Sequence, residues 1–328
     1  MYTRNVERLI VKTPMIIHYN ILKKGIFVAL SLTLYSLFSF AQHTETAKYR
    51  QQLLKYEDSL RTLSYKMIND SLEKDRYSSN YQFIKTFVDA LKTPQSFNFG
   101  FDSLKTVSIL TSGDRRFKIF TWHVMNDNGS YRYYGTIQMN NPDGKLKMFP
   151  LVDQSSLIKN PSDTVTSNDK WFGTQYYKII PVTYNVRIPY YILLGWKGNT
   201  VKTTKKVIEV VYFKDDKVHF GMPVFDGNKE KPNQKRIIFE YTRQVSMMLN
   251  YLPKEGMIVF DHLAPPDPKM TESLDMYGPD MSYDGFKLVN GRWRFIEDLE
   301  LKNPSSTIDD SFNDPKKPKK TESRKFIE

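Results

Sequence analysis

Apolar side chains recur at steps of three and four from Leu53 through Tyr56, Leu60 and Leu63 to Met67, the spacing of one face of an α-helix. Asn69, Asp70 and Ser71 interrupt that stripe. It resumes at Tyr81, Ile84, Phe87, Val88 and Leu91, and Pro94 ends it. The pattern predicts a helical segment over 42–95 made of two helices, folded as a hairpin. Too few heptads are sustained for a coiled-coil seam, so the stripe is expected to lie on the domain that follows.

From about Lys105 the period changes to two, and turn dipeptides punctuate the chain. Strands are expected in three groups. The first holds Arg115–Met125, Tyr131–Met139 and Lys145–Val152, with turns at Asn126-Asp-Asn-Gly129 and Asn141-Pro-Asp-Gly144. The second holds Gln175–Thr183, Pro189–Trp196, Lys205–Phe213 and Val218–Phe225, with turns at Lys197-Gly-Asn199 and Lys214-Asp-Asp-Lys217. The third holds Arg236–Tyr241, Val245–Leu249, Met257–Leu263, Phe286–Val289 and Arg292–Ile296. Its last two members are joined by Asn290-Gly291, a pair that suits the two positive φ angles of a type I′ hairpin turn. The fold expected is mainly β, an antiparallel meander of many short strands over 100–300 preceded by the helical segment. Sandwich, open barrel and propeller-like blades all fit such a meander. No motif recurs at a fixed period, which counts against identical blades.

Upstream of the helices, Lys23 and Lys24 precede the apolar run Gly25–Phe40, and Ser39 and Ala41 are small residues at the positions a signal peptidase reads. A signal peptide over 1–41, cleaved after Ala41, is expected, and with it a periplasmic or secreted protein. The run is shorter than the roughly 20 apolar residues of a membrane span and carries several hydroxyls, so no transmembrane span is expected after cleavage. Met15 is an alternative start that leaves the same mature chain.

The chain has no cysteine, which excludes a disulfide framework, a thiol nucleophile, a cysteine metal cluster and a lipid-anchoring cysteine. Its formal net charge is +12, and part of it comes from clusters of basic residues at the two ends. Arg4, Arg8, Lys12, Lys23 and Lys24 fall in the leader, and Lys316, Lys317, Lys319, Lys320, Arg324 and Lys325 crowd the last residues. The segment 301–328, with Pro315 and Pro318 and few apolar residues, is expected to be a disordered basic tail, solvated rather than bound to nucleic acid.

The richest candidate for chemistry is the acidic, proline-rich connection 264–284, with Asp267, Glu272, Asp275, Asp280 and Asp284. Within it Asp280, Ser282 and Asp284 place oxygens at alternate positions ahead of Gly285, like the first half of an EF-hand loop, and suggest calcium. The closing acid of such a loop is missing, since its position is Gly291, and an Asx turn entering a strand explains the same residues. Asp261 and His262 adjoin this segment and are the candidate binding pair, although neighbours in a strand point to opposite faces. His123, His219 and His262 could converge on zinc, but no helical His spacing calls for it. No nucleophile elbow, phosphate loop or dinucleotide fingerprint is present. Tyr131, Tyr133, Tyr176, Tyr190 and Trp196 could stack on sugars, or pack in the core as most strand aromatics do.

Trp171-Phe-Gly-Thr174, Tyr190-Tyr-Ile-Leu-Leu-Gly-Trp196, Arg236-Ile-Ile-Phe-Glu-Tyr241, Ile258-Val-Phe-Asp-His-Leu263 and Tyr277-Gly-Pro-Asp280 resemble segments of uncharacterised exported proteins of Bacteroidota. That resemblance spans roughly 100–297, implies an envelope location and brings no activity or catalytic residue with it. Asp58-Ser-Leu60, Asp70-Ser-Leu72, Asp102-Ser-Leu104 and Asp163-Thr-Val165 look like the O-glycosylation acceptors of that phylum, with Thr164 the most accessible. Two functions remain. One is a non-enzymatic envelope or secreted module that binds a polysaccharide, peptide or envelope protein. The other is a metal-assisted or carboxylate-based hydrolase built on the acidic segment.

Overall fold

The computed structural model describes residues 45–227 and 234–300. The expected signal peptide, its expected cleavage site and the expected basic tail lie outside the described residues.

Two helices, α1 (residues 45–69) and α2 (Glu73–Lys92), open the described chain. The break between them falls on Asp70 and Ser71, where Arg76 donates from Nη1 to both carbonyls and from Nε to Met125 O, pinning the corner to the sheet beneath. Leu53, Leu60 and Met67 of α1 are buried as the stripe requires. In α2 the stripe is rotated: Tyr81 is 64% exposed, while Phe83 and Phe87 carry the contact. Two polar residues extend the buried face, because Asn80 accepts the Trp122 indole N–H at 2.8 Å and Ser79 reaches toward Asp70. A purely apolar template misses these positions, since a satisfied Asn packs like a hydrophobic residue.

The fold is mainly β, in three open sheets stacked face to face behind the helices. The first is the antiparallel meander β1 (Ser108–Thr111), β2 (Phe117–Met125), β3 (Tyr131–Met139) and β4 (Met148–Val152). The second runs β5 (Thr166–Ser167), β9 (Lys217–Phe220), β8 (Thr203–Lys214), β7 (Tyr190–Gly198), β6 (Gln175–Val182). The third runs β10 (Phe225–Asp226), β15 (Arg292–Ile296), β14 (Gly278–Val289), β13 (Met257–Ala264), β12 (Leu249–Leu252). The three expected groups thus become three sheets, with two exchanges between neighbours. The strand expected to open the third group, β11 (Ile237–Thr242), pairs instead with β8 of the second sheet, and β10 crosses to pair in parallel with β15.

Period-two alternation decides which layer each side chain enters. Phe120 and Trp122 face the helices and meet Phe87 and Phe83 edge-on, with ring centroids 5.0 and 5.2 Å apart. Phe117 and Ile119 of the same strand face the second sheet and meet Tyr191 and Leu193. On β7, Tyr190, Ile192 and Leu194 face the other way, onto Ile258, Phe260, Phe286 and Trp293 of the third sheet. β7 is therefore covered on both faces, which is why it reads as an almost unbroken apolar run.

Charged side chains are buried in this stack. Arg236 and Glu209 have wholly buried side chains and form an ion pair, and Arg236 also donates to Pro161 O and stacks over Phe172 with 5.3 Å to the ring centroid. Lys197 donates to Gly173 O at 2.6 Å and Ser155 Oγ at 2.9 Å between the rings of Tyr133 and Phe172. Its burial brings its pKa down to about 8.

Several boundaries differ from the sequence expectation. Val245–Leu249 is not a strand; β12 starts at Leu249 because the Asp261 carboxylate takes the Met248 N–H at 2.7 Å. The final hairpin begins far earlier than Phe286, at Gly278, so the last third of the expected 264–284 loop is strand. Asn290 and Gly291 have φ of 51° and 74°, as the type I′ turn requires.

Candidate functional site

The second and third sheets part along one side, and a cleft of about 1210 Å³ opens between them. One wall is β11, which contributes Ile237, Ile238, Phe239 and Glu240, with Lys205 of β8 beside it. The other is the inner face of the third sheet. There the alternation that puts Ile258, Phe260 and Phe286 in the core carries on outward to His262, Asp284, Ser282 and Asp280. On β15 the same alternation takes Trp293 and Phe295 to Glu297. The floor of the cleft is therefore aromatic and its mouth acidic.

A break in the β13–β14 register builds the mouth. Asp261 pairs with Tyr283 and Leu263 with Pro279, so His262 alone stands opposite Asp280, Met281 and Ser282. The extra residues are accommodated by Met281, with φ of 74° and its side chain 93% exposed. This bend turns Asp280 back onto its neighbours. Its Oδ1 accepts from Ser282 N at 3.0 Å and Ser282 Oγ at 2.7 Å, and its Oδ2 lies 2.7 Å from His262 Nδ1.

The environments of the three titratable groups diverge. Partial burial would lift the Asp280 carboxyl, but its bonds from Ser282 and His262 win and hold it down at about 2. Burial likewise works against the His262 cation, yet the bond to Asp280 and the charges of Asp280, Asp284 and Asp298 raise its pKa. Asp284 is shifted up, chiefly by burial, which the Asp298 N–H and the His262 charge only partly offset. It is 6% exposed, and Asp298 N–H is its one donor among the described residues, at 3.2 Å on Oδ1.

All five of the candidate residues Asp261, His262, Asp280, Ser282 and Asp284 line this cleft. They are not all partners. Asp261 is spent on Met248 N–H, and the partner of His262 is Asp280, eighteen residues away rather than next door. Asp280, Ser282 and Asp284 alternate along a strand instead of wrapping a loop, because β13 pairs with this segment and draws it out. No group of three or more His, Asp or Glu side chains is arranged to hold a metal among the described residues. The other histidines go elsewhere: His123 bonds Gln175 Oε1 at 2.6 Å, and His219 stacks on Tyr212. Of the aromatics, Tyr133, Tyr176 and Tyr190 are core, while Tyr131 and Trp196 are half-buried and meet edge-on. Thr164 directly follows the turn at 161–163, with its hydroxyl donating to Lys159 O at 2.7 Å and Asn160 O at 3.0 Å.

Sequence reasoning missed the second wall. Lys205 and Glu240 are cross-strand partners 3.0 Å apart, a pairing that exists only once β11 has joined β8. Glu297 and Asp298, directly after the last strand, extend the acidic mouth and could have been found from the alternation of β15.

No protein-family model, curated protein or solved structure matches the chain. Among the described residues no helix is long and apolar enough to cross a membrane.

Proposed function

We propose that this protein is an exported, non-enzymatic binding module, and that the cleft between its second and third sheets takes a ligand bearing positive charge. The observation that carries the reading is the composition of the cleft. Asp280, Asp284, Glu297 and Asp298 line its acidic wall, and its cationic side chains, Lys205 and His262, are each already held by a carboxylate, that of Glu240 and that of Asp280. In a chain whose formal charge is +12, so acidic a concavity is a local exception. Its aromatic floor suits apolar surface on the same ligand. The export half of the proposal rests on the leader residues before Gln42.

Calorimetry with pentalysine tests the binding half. Wild-type protein should bind it at low ionic strength and more weakly as salt rises, because Asp280 lies at a mouth open to solvent. Asp280→Asn with Asp284→Asn should lose most of that affinity. Unchanged binding by the double variant would place the interaction elsewhere.

Carboxylate-based hydrolysis is a second reading, favoured by the opposed environments of Asp284 and Asp280. A carboxyl that holds its proton more tightly than usual beside one that releases it more readily is the relation of a general acid to its basic partner. Turnover of nitrophenyl glycosides that disappears in Asp284→Asn would support it, and no turnover by wild type would remove it.

A further inference from the structure

Among the described residues, the strand that forms one wall of the cleft pairs with β8 alone, through Ile237, Phe239 and Tyr241, and its other edge carries no strand, although the turn Leu274–Met276 packs beside β11. The parity follows from two bonds on the opposite side: Arg236 N–H donates to Ser162 O at 3.1 Å, and Thr242 N–H to Tyr277 O at 2.9 Å. Residues of that parity turn their backbone groups away from β8. Ile238 and Glu240 share it and lie between the two, and among the described residues no backbone group pairs with them on that side. Both residues line the cleft. An edge presenting unpaired N–H and C=O groups is a template for one more strand.

The opposite wall says what that strand should carry. The third sheet extends beyond the edge of the second, so a chain laid along β11 would cover His262, Ser282 and Asp284 as β11 itself covers Phe260. Asp284 is nine-tenths buried there, with no donor to its Oδ2 among the described residues. We infer that the cleft binds an extended peptide by antiparallel strand addition to β11, with lysine or arginine at alternate positions facing the carboxylates of the third sheet. This rests on the cationic-ligand reading above and adds the class of ligand and its geometry.

Strand addition makes a parity prediction that charge alone does not. Directly opposed residues of neighbouring strands project to the same face. Ile238 and Glu240 point their side chains away from the third sheet, toward Phe172 and Lys205, as Phe239 points toward it. The peptide residues that hydrogen-bond to β11 must therefore also point away, and the cationic residues facing the carboxylates keep their N–H groups turned outward. In an acetylated, amidated hexapeptide alternating lysine and valine, the valine amides bond the protein and the lysine amides do not.

The test measures binding of three such peptides to the wild-type mature chain by fluorescence anisotropy: the parent, one N-methylated on its valines and one on its lysines. Valine methylation should weaken binding at least about tenfold, the loss of one to two hydrogen bonds, and lysine methylation should leave it within about twofold. Equal binding of all three would overturn strand addition and leave the cationic cleft standing. Equal weakening by both methylations would overturn it too, by assigning the effect to the peptide's own conformation. No binding of any peptide, with no binding of pentalysine, would overturn both readings.

Discussion

Arg236 is the residue on which the second sheet is most exposed to damage by a single change. Its side chain is wholly buried and it supplies the counter-charge to Glu209, itself wholly buried. Replacing Arg236 by methionine keeps most of the volume and removes three sets of contacts: the ion pair, the bond to Pro161 O and the 3.5 Å approach to Thr166 Oγ1. Breaking one side of a buried pair leaves an uncompensated charge and costs about 3–5 kcal/mol. At roughly 2–4 °C per kcal/mol for a chain of this size, the melting midpoint of the mature protein should fall by about 6–20 °C. Burial already raises the Glu209 pKa against the pull of Arg236. Without that pull it rises further, so the variant's native state prefers the protonated acid. The variant's deficit is then smallest below the ordinary glutamate value of 4.5 and grows as pH rises through the raised native pKa. Urea melts at pH 5 and pH 8 should therefore show the larger gap from wild type at pH 8. Adding Glu209→Leu should restore most of the loss, because an apolar pair of similar volume tolerates the same site. A double variant as unstable as Arg236→Met alone, or a gap that does not depend on pH, would refute the reasoning.

Two further outcomes follow from buried polar groups. Asn80→Ala strands the Trp122 indole N–H under the helices and should cost about 1–3 kcal/mol in urea melts. Lys197 titrates at about 8 when folded against 10.5 in the unfolded chain, so between those values the unfolded state holds more proton and stability rises with pH. Lys197→Met should abolish that rise, on the order of 3 kcal/mol, and a wild-type and variant pair with parallel pH profiles would show that the buried ammonium is not responsible.

Much of the architecture was legible because it is local. The helix period and its break at Asp70 and Ser71, the alternation of β3, and the two-residue turn at Asn290 and Gly291 each depend on neighbours a few residues away. The candidate cleft was half legible. Asp261, His262, Asp280, Ser282 and Asp284 stood out as an acidic stretch beside a histidine, and the structure gathers all five on one wall. Their roles were not readable. The partner of His262 is Asp280 because the register slips by two residues opposite it, and no pattern in either strand announces that slip.

By itself, then, the sequence determined the elements and their buried faces, since periodicity and turn chemistry act over short range. Only the tertiary structure decided which sheet each strand joined. β11 could have paired within the third sheet, next to its neighbours in the chain, and its alternation is the same in either place. It is drawn to β8 because Arg236 must meet Glu209 and Phe239 must cover Phe260, two contacts between distant residues. That choice leaves β11, among the described residues, with one edge that no strand pairs, beside an acidic wall.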